Sequence, residues 1–263
     1  MNSRYLFRKI AYVALLFHCF CMSNAQSESL VDTAAKVTKS VVAIGLFTPL
    51  ESRAPKILGS GFIAGGGKYV ITNHHVVEQM LDPTFVQYYV ALHGYAKDVR
   101  QFKLEVDAID PKHDIAILRV TEPWQTESLS LRTGEKLSPP GTEVAITGYP
   151  IGAVLGLYAA THRGIVATVA PDIIPRQSVD SRSVTDLERL KSPSLIYQLD
   201  LTAYPGNSGS PLYLAETGEV IGILNKVLLS STRESALTNP SGISYAIPVQ
   251  RIMDLAKEND IEL

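Results

Sequence analysis

Short runs rich in Val and Ile, each closed by Gly, Pro, Asn or Asp, recur along most of this chain and constrain its fold more than any other feature. They fall at residues 41–45, 59–64, 69–72, 86–92, 103–110, 115–120, 143–148, 164–169, 195–200, 211–214, 220–224 and 242–247. Runs this short are strands, and only two stretches have helical spacing. One spans 30–40, with Leu30, Ala34 and Val37 on one face. The other spans 248–263, with Ile252, Leu255 and Ala256 aligned and Pro248 at its start. Many strands with helices only at the ends predict an all-β barrel or sandwich, not an alternating α/β sheet. No internal repeat is visible.

The first 25 residues have a different character. Arg4, Arg8 and Lys9 precede an apolar run from Ile10 to Met22, and Ser23-Asn24-Ala25 supplies small residues for cleavage. The run would span roughly 20 Å as a helix, short of the ~30 Å hydrocarbon core, so a signal peptide removed after Ala25 is expected rather than an anchor. Both cysteines, Cys19 and Cys21, lie inside it. Phe17-His18 stands where a lipoprotein site needs small residues. The exported chain is then free of thiols, which excludes cysteine proteases and Cys-ligated zinc and places the protein in the periplasm or outside the cell. Losing the leader removes three basic and no acidic side chains, leaving 21 basic against 26 acidic, a balance of −5. No basic stripe emerges, so a nucleic-acid partner is not expected, nor is stable membrane insertion after cleavage.

Three segments carry chemistry. In Gly206-Asn207-Ser208-Gly209-Ser210-Pro211 a serine sits between glycines, which permit the tight turn that exposes Oγ and converges backbone N–H groups on an oxyanion. Taken alone, the same residues also suit an ordinary turn. In Tyr69-Val70-Ile71-Thr72-Asn73-His74-His75-Val76-Val77 a strand runs into a histidine pair, where a general base would serve. Adjacent residues on an extended segment face opposite ways, so the pair would chelate one metal ion poorly, and no metal or other cofactor is expected. In Asp110-Pro111-Lys112-His113-Asp114-Ile115, Asp114 directly precedes an apolar strand and can be half-buried while orienting an imidazole. Asp110, before a proline, reads as a turn opener.

Taken together, these segments resemble the HtrA/Deg branch of the chymotrypsin-like serine proteases. The resemblance rests on Gly59-Ser60-Gly61-Phe62-Ile63, Thr72-Asn73-His74-His75-Val76-Val77, His113-Asp114-Ile115-Ala116-Ile117-Leu118, Gly148-Tyr149-Pro150-Ile151-Gly152, Gly206-Asn207-Ser208-Gly209 and Gly242-Ile243-Ser244-Tyr245-Ala246-Ile247-Pro248. It covers about residues 30–255 and keeps the order His, Asp, Ser. The resemblance implies two six-stranded antiparallel barrels with the triad in the cleft between them. It selects His75 over His74 as base, with Asp114 as orienter, Ser208 as nucleophile, and an oxyanion hole formed by the amides of Gly206 and Ser208 with Asn207 between. The barrels would meet near 131–140, where Pro139-Pro140-Gly141 interrupts the strands. This divides the chain into a leader (1–25), a helix with the first barrel (26–135), and the second barrel with the closing helix (136–263).

Three departures from the family pattern carry consequences. Ser210 replaces the family's usual second glycine. Asn207 stands where digestive trypsins have an aspartate that pairs with a freed N-terminus, so activation by that route is not expected. No PDZ domain is expected after residue 263. Thr202 resembles the floor of the S1 pocket and offers no anion, and Ile223, Leu224, Asn225 and Lys226 would supply its wall. Small or medium apolar P1 residues are therefore expected, not Arg or Lys. The expected partners are protein or peptide substrates, and the family's frequent trimers leave a homo-oligomer open. The sequence supports an endopeptidase acting on exported or unfolded proteins, since all three triad members are present. A catalytically silent or resting chaperone-like module on the same fold is the alternative. The Gly-x-Ser-x-Gly elbow of an α/β esterase is absent.

Overall fold

The computed structural model describes residues 29–82, 84–96, 98–122, 124–150, 156–172, 194–225 and 242–263. The expected leader, Ile151-Gly152, Lys226 and nearly all of the long polar stretches 172–193 and 230–241 lie outside the described residues.

Twelve strands form two closed barrels. The first comprises β1 (Val41–Phe47), β2 (Lys56–Ala64), β3 (Tyr69–Thr72), β4 (Tyr88–Tyr95), β5 (Asp98–Asp110) and β6 (Ile115–Val120), in the order β1-β2-β3-β6-β5-β4. The second comprises β7 (Glu143–Gly148), β8 (Ala160–Pro171), β9 (Leu195–Asp200), β10 (Pro211–Leu214), β11 (Val220–Leu224) and β12 (Ile243–Pro248), and its ring β7-β8-β9-β12-β11-β10 repeats the same order. All strand pairs are antiparallel. Closure leaves neither sheet with an open edge. This is the expected all-β double barrel.

The burial pattern explains why so many runs are apolar at every position. Along β6, Ala116 and Leu118 fill the first barrel, while Ile115 and Ile117 face a second cluster that spans both barrels and the C-terminal helix. Val42 and Ile44 alternate in the same way with Val41 and Ala43 on β1. Successive side chains point to opposite faces, and here both faces are buried. Val144, Ile146, Val166, Leu199, Leu212, Ile221 and Ala246 fill the second barrel. The connection between barrels crosses early: the Leu129 amide donates to Ile63 O in the first, and the Arg132 amide to Val220 O in the second.

Helix α1 (Leu30–Thr38) is capped by Ser29, whose hydroxyl accepts from the Asp32 amide. Helix α2 (Val249–Glu258) buries Val249, Ile252, Leu255 and Ala256. It stops short of the chain end because Asp260 turns left-handed at φ +54°, and the Ile261 and Asp260 amides reach back to Ala256 O and Lys257 O, a Schellman closure. β5 and β8 are longer than the sequence indicates. Among the extra residues, Asp98, Arg100, Gln101 and Arg163 are polar and held by ladder pairing, so they interrupt the hydrophobic pattern without ending the strand.

Candidate active site

β3 and β6 are neighbours, with Thr72 opposite Ala116, so the chain just beyond β3 lies beside the chain just before β6. His75 is in a 3-10 turn, His74–Val76, immediately after β3, and Asp114 closes the β5–β6 turn. Asp114 has φ +56°, a left-handed conformation that Asp tolerates better than most side chains. Its carboxylate takes two bonds from one residue: Oδ1 accepts from the His75 amide at 2.8 Å, and Oδ2 meets His75 Nδ1 at 2.6 Å. A carboxylate only accepts, so Nδ1 carries the proton and the neutral ring presents a lone pair at Nε2. The fully buried Asn73 fixes the same turn by donating from Nδ2 to Asp114 O at 3.0 Å. The side chains of His75 and Asp114 keep about a fifth of their surface exposed, at 20% and 21%. Nε2 makes no hydrogen bond among the described residues.

Ser208 sits in the β9–β10 connection, at the junction of two tight turns. In the first, the Asn207 amide donates to Tyr204 O at 3.0 Å, with Pro205 second and Gly206 third at φ +98°, the type II pattern. In the second, the Ser210 amide donates to Asn207 O at 3.0 Å, with Gly209 third at φ +88°. A Cβ on Gly209 would lie 2.1 Å from Ser60 O, so neither its backbone angle nor its space admits another residue. Among the described residues the Gly206 and Ser208 amides donate to no acceptor, whereas that of Asn207 is spent on Tyr204. A Cβ built on Gly59 would come within 2.9 Å of Val76 and 3.0 Å of Ser208 O, so the segment bearing His75 and the loop bearing Ser208 flank one strand residue.

The expected pocket residues divide. Ile223 and Leu224 are buried in the core, so any contact they make with substrate comes from main chain. Even there, Leu224 O and N are used by Gly209 N and Ser210 O. Thr202 is half-buried, Asn225 N donates to Tyr245 O, and Lys226 lies outside the described residues. Ser210, in place of the family's glycine, fits because residue 148 is Gly: a Cβ there would lie 1.9 Å from Ser210 Oγ. Among the described residues, the Ser210 hydroxyl and both side-chain polar atoms of Asn207 are buried without partners. Burial pushes the nearby Tyr149 phenol up to about 12, so it stays neutral.

Two features had no role in the sequence reading. Asp110 opens the expected turn, but its carboxylate also holds His113, accepting from the backbone amide at 3.1 Å and contacting ring Nδ1, while His113 Nε2 meets Ser194 Oγ at 2.8 Å. The second is Ser60, the fully buried polar residue of an otherwise apolar β2 segment, which contacts the nucleophile loop. Its polarity within an apolar run was the available signal. Among the described residues no cluster of three His, Cys, Asp or Glu could hold a metal ion, and no helix is long and apolar enough to cross a membrane.

Comparison with known proteins places this arrangement. Residues 59–223 match the model of the trypsin-like peptidase domain. A protein of Halomonas elongata named "Probable periplasmic serine endoprotease DegP-like" is 31% identical over 79% of this chain and 36% of its own length. One of the same name from Chlamydia trachomatis is 30% identical over 80% of this chain and 36% of its own. Serine protease HTRA1 of Xenopus laevis is 28% identical over 88% of this chain and 43% of its own. This chain thus spans well under half the length of these relatives. The matched segment runs from the β2 residues that border the Ser208 loop to the last residues of β11, and on that match the chain belongs to the trypsin-like peptidase domain family.

Proposed function

We propose that the chain is a serine endopeptidase that hydrolyses exported or unfolded proteins through an acyl-enzyme. The observation that carries this reading is the double grip of Asp114 on His75, which fixes the tautomer with a lone pair at Nε2. Ser208 Oγ attacks the scissile carbonyl carbon while His75 Nε2 takes its proton. The carbonyl oxygen becomes an oxyanion that accepts from the Gly206 and Ser208 amides. His75 then passes the proton to the leaving amine as the C–N bond breaks. Water, deprotonated by the same nitrogen, releases the acyl group. Asp114 stabilises the imidazolium at both stages. Thr202 offers no anion to a P1 cation, which supports cleavage after small or medium apolar residues. The leader-like 1–25 segment and the periplasmic names of the relatives support export.

A resting or silent state is the second reading. The buried Asn207 side chain, next in sequence to Ser208 and without a partner among the described residues, favours it, because such a group costs free energy that a rearranged loop would recover. A labelled fluorophosphonate, applied to the wild type and to Ser208→Ala alongside digestion of an unfolded protein, separates the two. Labelling and digestion lost in the variant support the endopeptidase. A wild type that neither labels nor digests supports the silent module.

A further inference from the structure

We infer that Ser60 is a positioning residue for the oxyanion site, acting through the main chain of the nucleophile loop. This inference rests on the endopeptidase reading. Ser60 lies on β2 in the first barrel, fully buried, and it holds two carbonyls of the second barrel's loop. Its amide donates to Ser208 O at 2.8 Å, and its hydroxyl donates to Gly206 O at 2.7 Å. These are the carbonyls of the two residues whose amides are assigned to the oxyanion. The direction of the hydroxyl is set as well, because Oγ accepts from the Tyr149 amide at 2.9 Å, which leaves its proton for Gly206 O. Ser60 O in turn accepts from the buried Thr72 hydroxyl at 2.7 Å, three residues before His75. One residue therefore links the β3 strand that leads to the base, the end of β7, and both turns around the nucleophile.

The need for such a hold follows from glycine. Gly206, at φ +98°, has no side chain to favour one backbone conformation, and rotation about it would turn its peptide groups away from the oxyanion. The Gly206–Asn207 peptide is pinned at both ends, its carbonyl by Ser60 and its N–H by Tyr204 O. Without the hydroxyl, one end is released, and the Gly206 carbonyl and the Tyr149 amide each lose a partner. Preorganised donors accelerate because they need not reorient during reaction, so the loss falls on the transition state rather than on substrate binding.

The test is Ser60→Ala, which keeps the bonds of Ser60's own amide and carbonyl, with active sites titrated by fluorophosphonate so that turnover is counted per competent site. The expected result is a fall of about tenfold in kcat with KM within about twofold, less than the loss of a whole oxyanion donor. Affinity for a peptide boronate, which forms a tetrahedral adduct on Ser208, should fall by the same factor. A purely structural role would lower the titre and the melting temperature and leave per-site kcat and boronate affinity unchanged. That outcome overturns the inference, as does a loss of kcat without loss of boronate affinity. Ser60→Gly removes the same hydroxyl and adds no atom. If neither variant folds, the hydroxyl serves stability and the assignment falls. A wild type that fails to label would instead refute the endopeptidase reading itself.

Discussion

Two aspartates of one five-residue segment, Asp110 and Asp114, each hold a histidine, His113 and His75, and the two rings differ in what the second nitrogen does. His113 contacts Asp110 through Nδ1 and Ser194 Oγ through Nε2, so its hydrogen-bonding capacity is filled. His75 contacts Asp114 through Nδ1 alone. The first set even has the composition of a triad. Ser194, however, lies just before β9 with its carbonyl holding the Asp172 amide at 2.7 Å, whereas Ser208 stands at the junction of two glycine-centred turns, where its own amide and that of Gly206 donate to no acceptor among the described residues. Aspartate, histidine and serine therefore make a fully hydrogen-bonded staple in one place and, where the ring makes no bond to the serine, a candidate catalytic centre in the other. The backbone around the serine decides which.

The largest test of that contrast removes each serine in turn. Ser208→Ala should cost about three orders of magnitude or more in kcat/KM and abolish fluorophosphonate labelling. Ser194→Ala should leave both within about threefold, as expected for a side chain outside the reacting centre. Labelling that persists in Ser208→Ala and disappears in the double variant would mean that the staple is reactive, and the distinction would collapse. Next in size is Asp114→Asn, which should lower kcat by roughly 10³–10⁴-fold with little change in fold, since an amide can present its N–H to Nδ1 and favour the wrong tautomer. Turnover of a peptide substrate at pH 7, with thermal melting as control, measures it.

The sequence exposed one half of this contrast better than the other. His75, Asp114 and Ser208 stand in distinctive local strings, and the twelve strands announce themselves because closed barrels bury both faces of β1 and β6. The staple was not legible. Asp110 precedes a proline, and its partner Ser194 lies at the far end of a polar stretch, 81 positions from His113, with nothing local to connect them. Ser60 was quoted as part of a string but given no role, because its contacts at Gly206 are 146 positions away. Ile223 and Leu224 are a different case: position relative to Ser208 suggests a pocket wall, while both side chains are buried in the core, which leaves only main chain for any contact with substrate.

The staple should matter for stability. His113→Ala leaves the partly buried Asp110 carboxylate and the Ser194 hydroxyl without their shared partner and should cost roughly 1–3 kcal/mol in urea unfolding, with per-site kcat within about threefold. Its pH signature has a definite sign. Desolvation pushes the Asp110 carboxyl up, but the hydrogen bonds and charge of His113 more than offset this and hold it below its ordinary value. A lowered folded-state value means that the stabilisation is fully present above the unfolded pKa, about 3.9, and is lost as pH falls through the folded value. Asp110→Asn should therefore flatten the acid limb below about pH 4 and leave the neutral region parallel to wild type. An unchanged acid limb would show that the pair contributes nothing to folding.

A third histidine, with no carboxylate at all, completes the comparison and gives the smallest effect. His162 on β8 has its Nε2 buried without a partner among the described residues, and its ring lies 5.6 Å from that of Tyr204, whose carbonyl closes the first turn of the Ser208 loop. Burial pushes its pKa below the ordinary 6.5. Charging this ring would desolvate a cation with no acceptor at hand, whereas the other two rings each face an aspartate. The unfolded chain thus binds its proton at higher pH than the folded one. The stabilisation is complete above pH 6.5 and declines as pH falls from there through the folded value, a window above that of Asp110. Unfolding free energies measured between pH 7.5 and 5 should fall in the wild type and fall less in His162→Gln, which cannot take up a proton. If the two curves stay parallel across that range, His162 carries its proton as readily in the folded protein as in the unfolded one, and burial at this site has no effect on the loop beside it.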